Sequence, residues 1–533
     1  MKRLALTTMA AAALGLAGCT QELVCPSDQL ACGGACVAAA TDPRNCGACG
    51  ARCGPLGVCA SGSCQCGPET TLCGGSCVDL ASDPLNCGAC GAACPAALLC
   101  TSTGGVATCA AACAAGQSSC DRACVDLLSS RYHCGACGRA CGAGEHCAQG
   151  LCLADLYAAC YNTDEVREAA GDLAPAGIPV ATEAGPLALA WLGSSLFVAN
   201  SLNNTVDELR FDPPAVRKQQ VITIPTQGTY GPDLEYVAAN AADGLLYVSN
   251  AAAGLLDVID PVAGLVIDEV PLGAGTFPAG IAIVGTSAYV ALNGTNEVAA
   301  VDISRAGTCP PDPNAPPCSA GACNAGRVCV SGSCQPAFCV AKRIALPAAD
   351  LAGPNGSPMP SRLAAAGTLL YVTLWNLKPS DYTPAGSGRL AVIDTATNLL
   401  VTTPGSYPVD LGPGCANPGD IAAVGQTLYV SCGFFPYNDP SSLQGAAIVK
   451  VDLSTGAPLV GPELPLSGHA PGPLAFCGGA GYAGDRNAGS LFRFDPAFDP
   501  TNPPSMLLTG AATLCPPRAA GGSAYVADLT CSP

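Results

Sequence analysis

Cysteine is the residue type in this sequence whose number and spacing could do chemistry, because paired thiols form disulfides and clustered thiolates bind metal ions. The 533-residue chain contains 37 cysteines, and an even 36 remain when Cys19 is set aside. So many cysteines are typical of chains that fold in an oxidising compartment, where they can pair completely. Zinc held by Cys-x-x-Cys pairs is the alternative, but exported cysteines oxidise. The sequence therefore predicts disulfides and no metal site.

Side chains for acid–base or nucleophilic catalysis follow no recognised motif. The sequence has no Gly-x-Ser-x-Gly elbow, Walker A segment, His-Glu-x-x-His motif or EF-hand loop. Its three histidines are His133, His146 and His469, of which only the last lies outside the cysteine-rich region. A metal-dependent enzyme usually presents several His, Asp or Glu side chains around one site. We therefore predict that the chain is not an enzyme and uses no cofactor.

The cysteines between residues 25 and 152 recur with a fixed spacing. Eight of them occupy residues 25–64, eight occupy 66–109 with only the last gap lengthened, and eight occupy 113–152 with the gaps of the first copy. A unit of about 40 residues cannot bury enough apolar surface to fold by its core alone. The spacing predicts three tandem disulfide-rich modules, and it leaves the pairing within each module open.

Each module contains the segment Cys-Gly-Ala-Cys-Gly, which starts at Cys46, Cys87 and Cys134. This segment resembles the stigma-specific cysteine-rich family of secreted proteins, and it is similar to cysteine-rich repeats of large exported proteins of myxobacteria. The resemblance implies extracellular interaction and no catalysis.

The first residues predict export and a lipid anchor. A basic pair precedes an apolar run over residues 4–17 that is too short to span a bilayer, which is typical of a signal peptide, here over residues 1–18. Leu16-Ala17-Gly18-Cys19 resembles the lipobox of bacterial lipoproteins. The resemblance implies cleavage before Cys19, acylation of that cysteine by palmitate-type chains, and a lipidated N-terminus over residues 19–24. An ordinary secretory peptide is the alternative.

Charge and sorting signals restrict the partners. The net charge of −18 argues against nucleic acid, because phosphate binding needs a basic surface. We expect the membrane as a partner through the N-terminal lipid, together with an unidentified protein or glycan. Thr20 follows the acylated cysteine, which resembles outer-membrane sorting in enterobacteria. We predict a lipid-anchored location in the cell envelope, at the outer membrane or cell surface rather than the inner membrane.

From residue 160 onward the sequence changes to short β-prone runs. Seven copies of a Tyr-Val-type run, from residues 196–200 to residues 524–528, mostly follow small-residue strands. Four short strands per repeat are typical of β-propeller blades. Six copies are followed by a strand that ends in an aspartate, which we interpret as a turn cap rather than a calcium ligand: Asp212, Asp260, Asp302, Asp394, Asp452 and Asp495.

The runs ending at Asn200 and Asn250 resemble the YVTN family of propeller repeats. The sequence thus predicts an all-β fold, a seven-bladed β-propeller over residues 160–533 preceded by three small disulfide-rich modules. We expect residues 524–528 to form the second strand of blade seven and residues 160–182 to supply its third and fourth strands. Residues 308–339 contain six cysteines and read as a cysteine-rich insertion between the third and fourth strands of blade three.

Three disulfides are expected among the propeller cysteines outside that insertion. Cys160 and Cys531 are predicted to pair, because both would lie at one end of blade seven and lock the ring there. Cys415 precedes the first strand of blade five and Cys432 ends the second, so these two are predicted to pair as well.

The remaining Cys477 and Cys515 are left to each other by parity. Their places in the sequence predict that they lie at opposite faces of the propeller, so position supports this pair less than the other two.

Two long loops carry aromatic residues that could form a binding patch. Residues 375–389 of blade four contain Trp375 and Tyr382, and residues 433–445 of blade five contain Phe434, Phe435 and Tyr437. Both loops connect a second strand to a third, so we expect them on the same face of adjacent blades. Aromatic residues on neighbouring loops are typical of binding patches, and rings folded back over their own blades are the alternative.

These features predict a cell-envelope lipoprotein that acts as a binding or scaffolding surface protein, with the propeller as an interaction platform on a disulfide-rich stalk. The alternative is a periplasmic propeller enzyme, either a lactonase-like hydrolase or a quinoprotein. The scarcity of side chains that could ligate a metal in a propeller channel favours the first.

Overall fold

The computed structural model is built from β-strands, and its described residues include one short helix, Ala348–Leu351. None of the helical segments it describes is long and apolar enough to cross a bilayer. The chain divides into two compact units, residues 1–143 and 144–533. The described residues lie between 30 and 532, with gaps at 33–34, 38–47, 50–56, 61–62, 67–70, 74–75, 104–105, 131, 142–144, 149, 155, 170–172, 174, 213–214, 227, 230, 319–322, 324–325, 403–406, 434–445, 467–468, 478, 499–508 and 518–524.

The first unit consists of short antiparallel hairpins. Strands of three to five residues cannot form a substantial core, so disulfides stabilise these hairpins. The last two hairpins join into one four-stranded sheet through a parallel contact between Cys100 and Ala123. The paired strands are Leu30–Cys32 with Ala35–Val37, Gly57–Ala60 with Ser63–Cys66, Thr71–Cys73 with Ser76–Val78, Leu99–Thr103 with Val106–Ala110, and Ser118–Cys120 with Ala123–Val125.

Two modules define a pairing that the sequence left open. With the eight cysteines of a module counted in order, the second module joins its second to its fifth, its fourth to its seventh and its sixth to its eighth. These bonds are Cys73–Cys90, Cys87–Cys100 and Cys94–Cys109. The third module joins its first to its third and its second to its fifth, as Cys113–Cys124 and Cys120–Cys137. The bond common to both indicates one shared connectivity.

Cysteine sulfurs approach one another closely enough to hold a metal ion at three places in the described chain. Zinc binding by cysteine requires thiolates, and every member of these groups is bonded in a disulfide. The groups are Cys87, Cys94 and Cys109; Cys134, Cys141 and Cys147; and Cys318, Cys323 and Cys329.

The second unit is a seven-bladed β-propeller, so the structure confirms the predicted all-β fold class. From the inner strand outward, blades one to three are Pro186–Leu192, Ser195–Asn200, Thr205–Asp212 and Ala215–Thr223; Leu234–Asn240, Leu245–Asn250, Leu255–Asp260 and Leu265–Pro271; and Pro278–Val284, Ser287–Leu292, Glu297–Asp302 and Cys339–Ala345. Blades four to six are Pro360–Ala366, Leu369–Leu374, Arg389–Asp394 and Leu399–Leu400 with Val409–Asp410; Pro418–Val424, Thr427–Cys432, Ala447–Asp452 and Leu459–Pro465; and Pro471–Cys477, Ala480–Asp485, Ser490–Phe494 and Thr509–Thr513.

The core lies between the blades. The second strand of blade two, Leu245–Asn250, is buried at all six positions, because neighbouring strands and sheets cover both of its faces. A strand covered on both faces reads as a continuous apolar run, which explains why the Tyr-Val runs are the clearest signal in the sequence. Apolar clusters such as the one around Tyr247, Val258 and Val290 join consecutive blades.

The cysteine-rich insertion leaves blade three after Asp302 and returns at Cys339. It contains a hairpin of Arg327–Val330 and Ser333–Pro336, which follows the same register as the module hairpin Gly57–Ala60 with Ser63–Cys66. Its three disulfides are Cys309–Cys339, Cys318–Cys329 and Cys323–Cys334. The short strand pair between residues 144 and 155 is Glu145–Ala148 with Leu151–Ala154.

Both ends of the chain build blade seven, but their strands differ from the predicted ones. The inner strand is Val526–Cys531, and the second strand is Leu156–Cys160, followed by Glu165–Ala169 and Pro175–Ala181. Residues 524–528 therefore lead into an inner strand and were wrongly assigned to a second one. The first propeller strand begins at Leu156, four residues before the expected start at 160.

The predicted Cys160–Cys531 disulfide is wrong, because Cys160 ends the second strand of blade seven and Cys531 ends the inner strand. In the antiparallel pair, Cys160 lies opposite Val526 and Cys531 lies opposite Leu156. The two cysteines are thus at opposite ends of strands that are about 15 Å long, too far apart for a disulfide.

Two bonds between blades six and seven replace it. Cys160 is joined to Cys515 with a Cα separation of 5.2 Å, and Cys477 is joined to Cys531 at 5.9 Å. The parity pair Cys477–Cys515 is therefore also wrong. The structure contains the predicted bond between Cys415 and Cys432, whose Cα atoms are 5.0 Å apart.

Candidate functional site

Polar side chains gather where the inner strands begin, around the central channel of the propeller. Each is half-buried, so that water reaches it although protein surrounds it. Their charges interact with one another although they come from blades two, four, five, six and seven. We call this set the channel cluster: Asp233, Glu235, Tyr236, Arg362, Asp420, Arg486 and Asp528.

Bulges at the starts of the inner strands present two of these residues. The ladder is irregular between Pro360 and Leu363 in blade four and between Pro418 and Ile421 in blade five. A bulge removes a residue from regular pairing and re-aims its side chain. Arg362 and Asp420 are the residues displaced in this way.

Hydroxyl groups of the second strands hold these bulges. The Thr373 hydroxyl accepts a hydrogen bond from the backbone N–H of Arg362 at 2.9 Å, and the Ser431 hydroxyl accepts one from Asp420 at 2.8 Å. The Ser431 hydroxyl also donates to the carbonyl of Gly472 in blade six at 2.7 Å. The Ser or Thr of the Tyr-Val-Ser/Thr run thus stabilises the bulge of its own blade. Ser431 also connects blade five to blade six.

Glycines make room for the two arginines. A Cβ atom at Gly280 in blade three would lie 2.5 Å from the carbonyl oxygen of Ser361 and 3.3 Å from Cδ of Arg362. A Cβ atom at Gly472 in blade six would lie 2.5 Å from Nε of Arg486. The two distances of 2.5 Å are shorter than real Cβ contacts, so the absence of a side chain at both glycines permits the positions of these groups.

Arg362 lies over the ring of Tyr236, with its guanidinium carbon 4.7 Å from the ring centre. Its guanidinium group donates no hydrogen bond to a described residue and lies beyond 4.0 Å from every described carboxylate. Burial alone would lower the pKa of Arg362, but Tyr236, Asp420, Glu235 and Asp528 raise it, so the group stays charged. A stacked guanidinium with free donors is suited to binding an anion.

Asp420 and Asp528 connect blades. Oδ2 of Asp420 accepts from the backbone N–H of Leu474 in blade six at 2.8 Å, and Oδ2 of Asp528 accepts from Leu189 in blade one at 2.7 Å. Burial raises the pKa of Asp528 to about 6, and nearby Asp420 adds to this effect. Burial likewise raises the pKa of Asp420. Their hydrogen bonds give these two carboxylates a structural role.

Glu235 differs because its carboxylate accepts no hydrogen bond from any residue that the structure describes. Burial raises its pKa to about 7, nearby Asp233 raises it further, and Arg362 and Arg486 lower it. A carboxyl group that is free, reached by water and titrates near neutral pH can bind a donor or exchange a proton. Glu235 and Arg362 are therefore the two groups of the cluster most available to a ligand.

The aromatic residues predicted as a binding patch lie partly within the described chain. Trp375 is half-buried, and its backbone N–H donates to the carbonyl of Met359 at 3.1 Å, just before the inner strand that carries Arg362. Tyr382 is 54% exposed. Both belong to the face on which the channel cluster opens, because second strands end where inner strands begin. Phe434, Phe435 and Tyr437 lie outside the described residues.

The remaining candidate groups have structural contacts. Nδ1 of His469 lies 2.8 Å from Oδ2 of Asp485, at the junction of blades five and six. Five of the six strand-end aspartates accept backbone hydrogen bonds from the turn that follows, as turn caps do. These are Asp260, Asp302, Asp394, Asp452 and Asp495. The side chain of Asp212 lies outside the described set.

A second concave region lies at the rim, between the outer strand of blade two and the cysteine-rich insertion. It has a volume of about 440 Å³ and is lined by Ile267, Glu269, Phe338 and Val340 among others. Its Arg327 is already paired with Asp312 at 3.1 Å. Unlike the channel cluster, this cleft offers no free cationic group, and we regard it as secondary.

Comparison with known proteins agrees with this two-part architecture. Residues 101–155 match the Stigma-specific STIG1-like protein family. No curated protein matches the chain.

Solved structures resemble the propeller at low identity. A protein from Lactobacillus plantarum is 13% identical over 71% of this chain and 99% of its own, with a TM-score of 0.48. A proposed 6-phosphogluconolactonase from Bacteroides fragilis is 14% identical over 71% and 97%, with a TM-score of 0.46. A streptogramin B lyase is 11% identical over 61% and 84%, with a TM-score of 0.39. At these identities the likeness shows the fold alone.

The prediction that the chain is not an enzyme is corrected by these comparisons. Two of the similar propellers carry enzyme names, so the fold that this chain adopts accommodates catalysis. Lack of a familiar catalytic motif does not exclude activity when the groups of a site come from single positions on separate blades. The chain thus combines a segment similar to the Stig1-like cysteine-rich family with a seven-bladed propeller.

Proposed function

We propose that this chain is an exported cell-envelope lipoprotein, acylated at Cys19, whose propeller binds a small soluble ligand at the channel cluster. The observation that carries the binding function is the pair of free groups, Glu235 and Arg362, at a position that water reaches. Charged groups that lack partners inside a concave region lose favourable interactions with water, and a ligand of opposite charge can replace those interactions. The signal sequence, the lipobox and the disulfides support export.

The aromatic residues on the same face extend this proposal to a larger partner. The exposed Tyr382 and the half-buried Trp375 lie on the face on which the channel cluster opens, and aromatic side chains are suited to protein or glycan surfaces. Such a partner would bind beside the small ligand. The cysteine-rich modules would hold the propeller away from the membrane.

Catalysis at the same cluster is a second candidate, because Glu235 has a pKa of about 7 and Asp528 a pKa of about 6. Groups that titrate in this range serve as general acids and bases. A hydrolase of the lactonase type would need a bound water and an acid–base group, for which Glu235 is available because Asp528 already connects blades seven and one. Turnover of lactones, measured with wild-type protein and with Glu235→Gln, separates this candidate from simple binding.

Two experiments test the main proposal. Native mass spectrometry of protein released gently from envelopes should show a bound small molecule that is lost in Arg362→Lys and retained in Arg493→Lys, whose side chain is exposed. Cys19→Ser should release the protein from the membrane fraction and abolish labelling with palmitate analogues. Protein that carries no ligand in any preparation would contradict the binding function, and an unchanged membrane location would contradict the anchor.

A further inference from the structure

The free groups of the channel cluster carry opposite charges and lie on different blades. Glu235 and the neighbouring Asp233 belong to blade two, and neither carboxylate accepts a hydrogen bond from the described part of the chain. Arg362 belongs to blade four and reaches past Gly280 of blade three to the ring of Tyr236. No ion pair within 4.0 Å joins the arginine to either acid, although all three residues are described. The opposite charges therefore make no direct contact, and all three residues are partly exposed.

A ligand with a single charge leaves one of these groups unsatisfied. A simple anion on Arg362 would be repelled by Glu235, Asp233 and the two blade-connecting aspartates. A simple cation at Glu235 would be repelled by Arg362 and Arg486. A molecule that carries a carboxylate and an ammonium group a few ångströms apart places each charge beside its opposite.

From this arrangement we propose that the channel cluster binds a small zwitterion of the amino-acid class, with its carboxylate on Arg362 and its ammonium group at Glu235 and Asp233. This proposal rests on the binding function proposed above and names the chemistry of its ligand. The planar guanidinium pairs with both carboxylate oxygens at once, and stacking on Tyr236 holds its orientation. Side-chain groups of the ligand would extend toward the face that carries Trp375.

The test uses the full mature chain and isothermal titration calorimetry with the twenty common L-amino acids, added singly. For the tightest binder, the matched probes are its amide, which lacks the carboxylate, and its N-acetyl derivative, which lacks the ammonium group. Each derivative should bind at least tenfold more weakly than the parent, because each loses one charge-assisted contact.

Variants locate the binding. Arg362→Lys keeps the charge and the electrostatic balance of the channel but loses the planar fork, so affinity should fall about tenfold. Glu235→Gln should weaken binding of the parent and strengthen that of the N-acetyl derivative, a simple anion that the ionised Glu235 repels. The matched controls are Arg493→Lys and Glu297→Gln, both outside the channel, and they should bind like the wild type.

The pH dependence supplies a further readout. Glu235 faces Asp233, which raises its pKa, and Arg362 and Arg486, which lower it. An ammonium group favours the ionised carboxylate, so affinity should rise between pH 6 and 8 in the wild type, and Glu235→Gln should lose most of that rise.

Equal binding of the amide or the N-acetyl derivative would overturn the zwitterion proposal, as would binding of no amino acid at all. If native mass spectrometry then shows another small molecule whose retention depends on Arg362, the proposed binding function stands and only the ligand class is wrong. If no small molecule is retained, both fail.

Discussion

Cys477 and Cys531 end the inner strands of blades six and seven, and a disulfide joins them with their Cα atoms 5.9 Å apart. Together with Cys160–Cys515 it closes the ring covalently beside the strand pairing of blade seven. Each bond restricts a long loop of the unfolded chain, and the two loops overlap. The backbone hydrogen bonds of blade seven and the two disulfides therefore all stabilise the closure of the ring.

Removing the bond between Cys477 and Cys531 should destabilise the propeller by about 2–4 kcal/mol, because the cross-link spans 54 residues. The double variant Cys477→Ala/Cys531→Ala is compared by calorimetry with Cys415→Ala/Cys432→Ala, whose bond spans 17 residues and lies within one blade. The second double variant should lose less of its free energy of unfolding than the first. Peptide mapping without reduction should recover Cys477 linked to Cys531, and a peptide that links Cys160 to Cys531 would contradict the strand order of blade seven.

Replacing Ser431 by Ala should cost about 1–3 kcal/mol, because a fully buried hydroxyl then no longer serves the N–H of Asp420 and the carbonyl of Gly472. Thermal unfolding measures the loss. Ser431→Thr should restore most of it, since Thr373 occupies the equivalent place in blade four. The exposed turn residue Ser194 provides the control Ser194→Ala, and an equal effect of both Ala variants would refute the bridging role.

Gly280→Ala should displace Arg362, because the added Cβ would lie 2.5 Å from the carbonyl oxygen of Ser361. We expect a fall in stability of about 1–3 kcal/mol from overpacking, together with weaker ligand binding. At Gly461 an added Cβ would lie 3.5 Å from its nearest neighbour, an ordinary contact, so Gly461→Ala is the matched control. If Gly280→Ala binds and melts like the control, the packing that positions Arg362 is misassigned.

Glu235→Gln should stabilise the free protein at alkaline pH. The pKa of Glu235 is about 7 in the folded chain against a usual value of 4.5, so the folded state holds more protons across this range. Stability of the wild type then falls as pH rises from about 4.5 to 7. Since glutamine stays neutral, the variant should exceed the wild type by about 1–3 kcal/mol at pH 8 and match it near pH 4. Urea unfolding at both pH values measures the difference, with Glu297→Gln as a surface control; a variant less stable at pH 8 would show that the ionised carboxylate is stabilised.

Greater stability combined with weaker binding is the behaviour of a residue kept for function. It would separate Glu235 from Asp420 and Asp528, whose substitution should reduce stability because their hydrogen bonds connect blades.

Strand runs were predictable because burial on both faces makes them continuous and apolar. The second strand of blade seven, Leu156–Cys160, escaped notice because alanine stands where other blades have valine. Because this strand was not recognised, residues 524–528 were assigned to the second strand of blade seven instead of leading into its inner strand. The wrong disulfide partner for Cys160 followed from this assignment. The Cys415–Cys432 bond did not depend on this step, since both residues belong to one hairpin.

The channel cluster could not be found by spacing, because its residues come from single positions on five blades. A local signal did exist. Arg362 and Asp420 each stand third in an inner strand of otherwise small or apolar residues, and Asp528 holds the same position in blade seven. The free state of Glu235 depends on which neighbours form hydrogen bonds, and only the structure shows that.

Because blade seven contains strands from both ends of the chain, it can be completed only after its last strand has been synthesised. A chain that is synthesised from its N-terminus presents Leu156–Cys160 long before Val526–Cys531 exists. Throughout that interval the inner edge of the early strand lacks its partner, and such edges recruit other chains. Cys160 must likewise wait for Cys515, 355 residues later, and any earlier oxidation would trap it with a cysteine of the modules. Folding of the propeller therefore depends on timing, because blade seven is complete only when its last strand arrives.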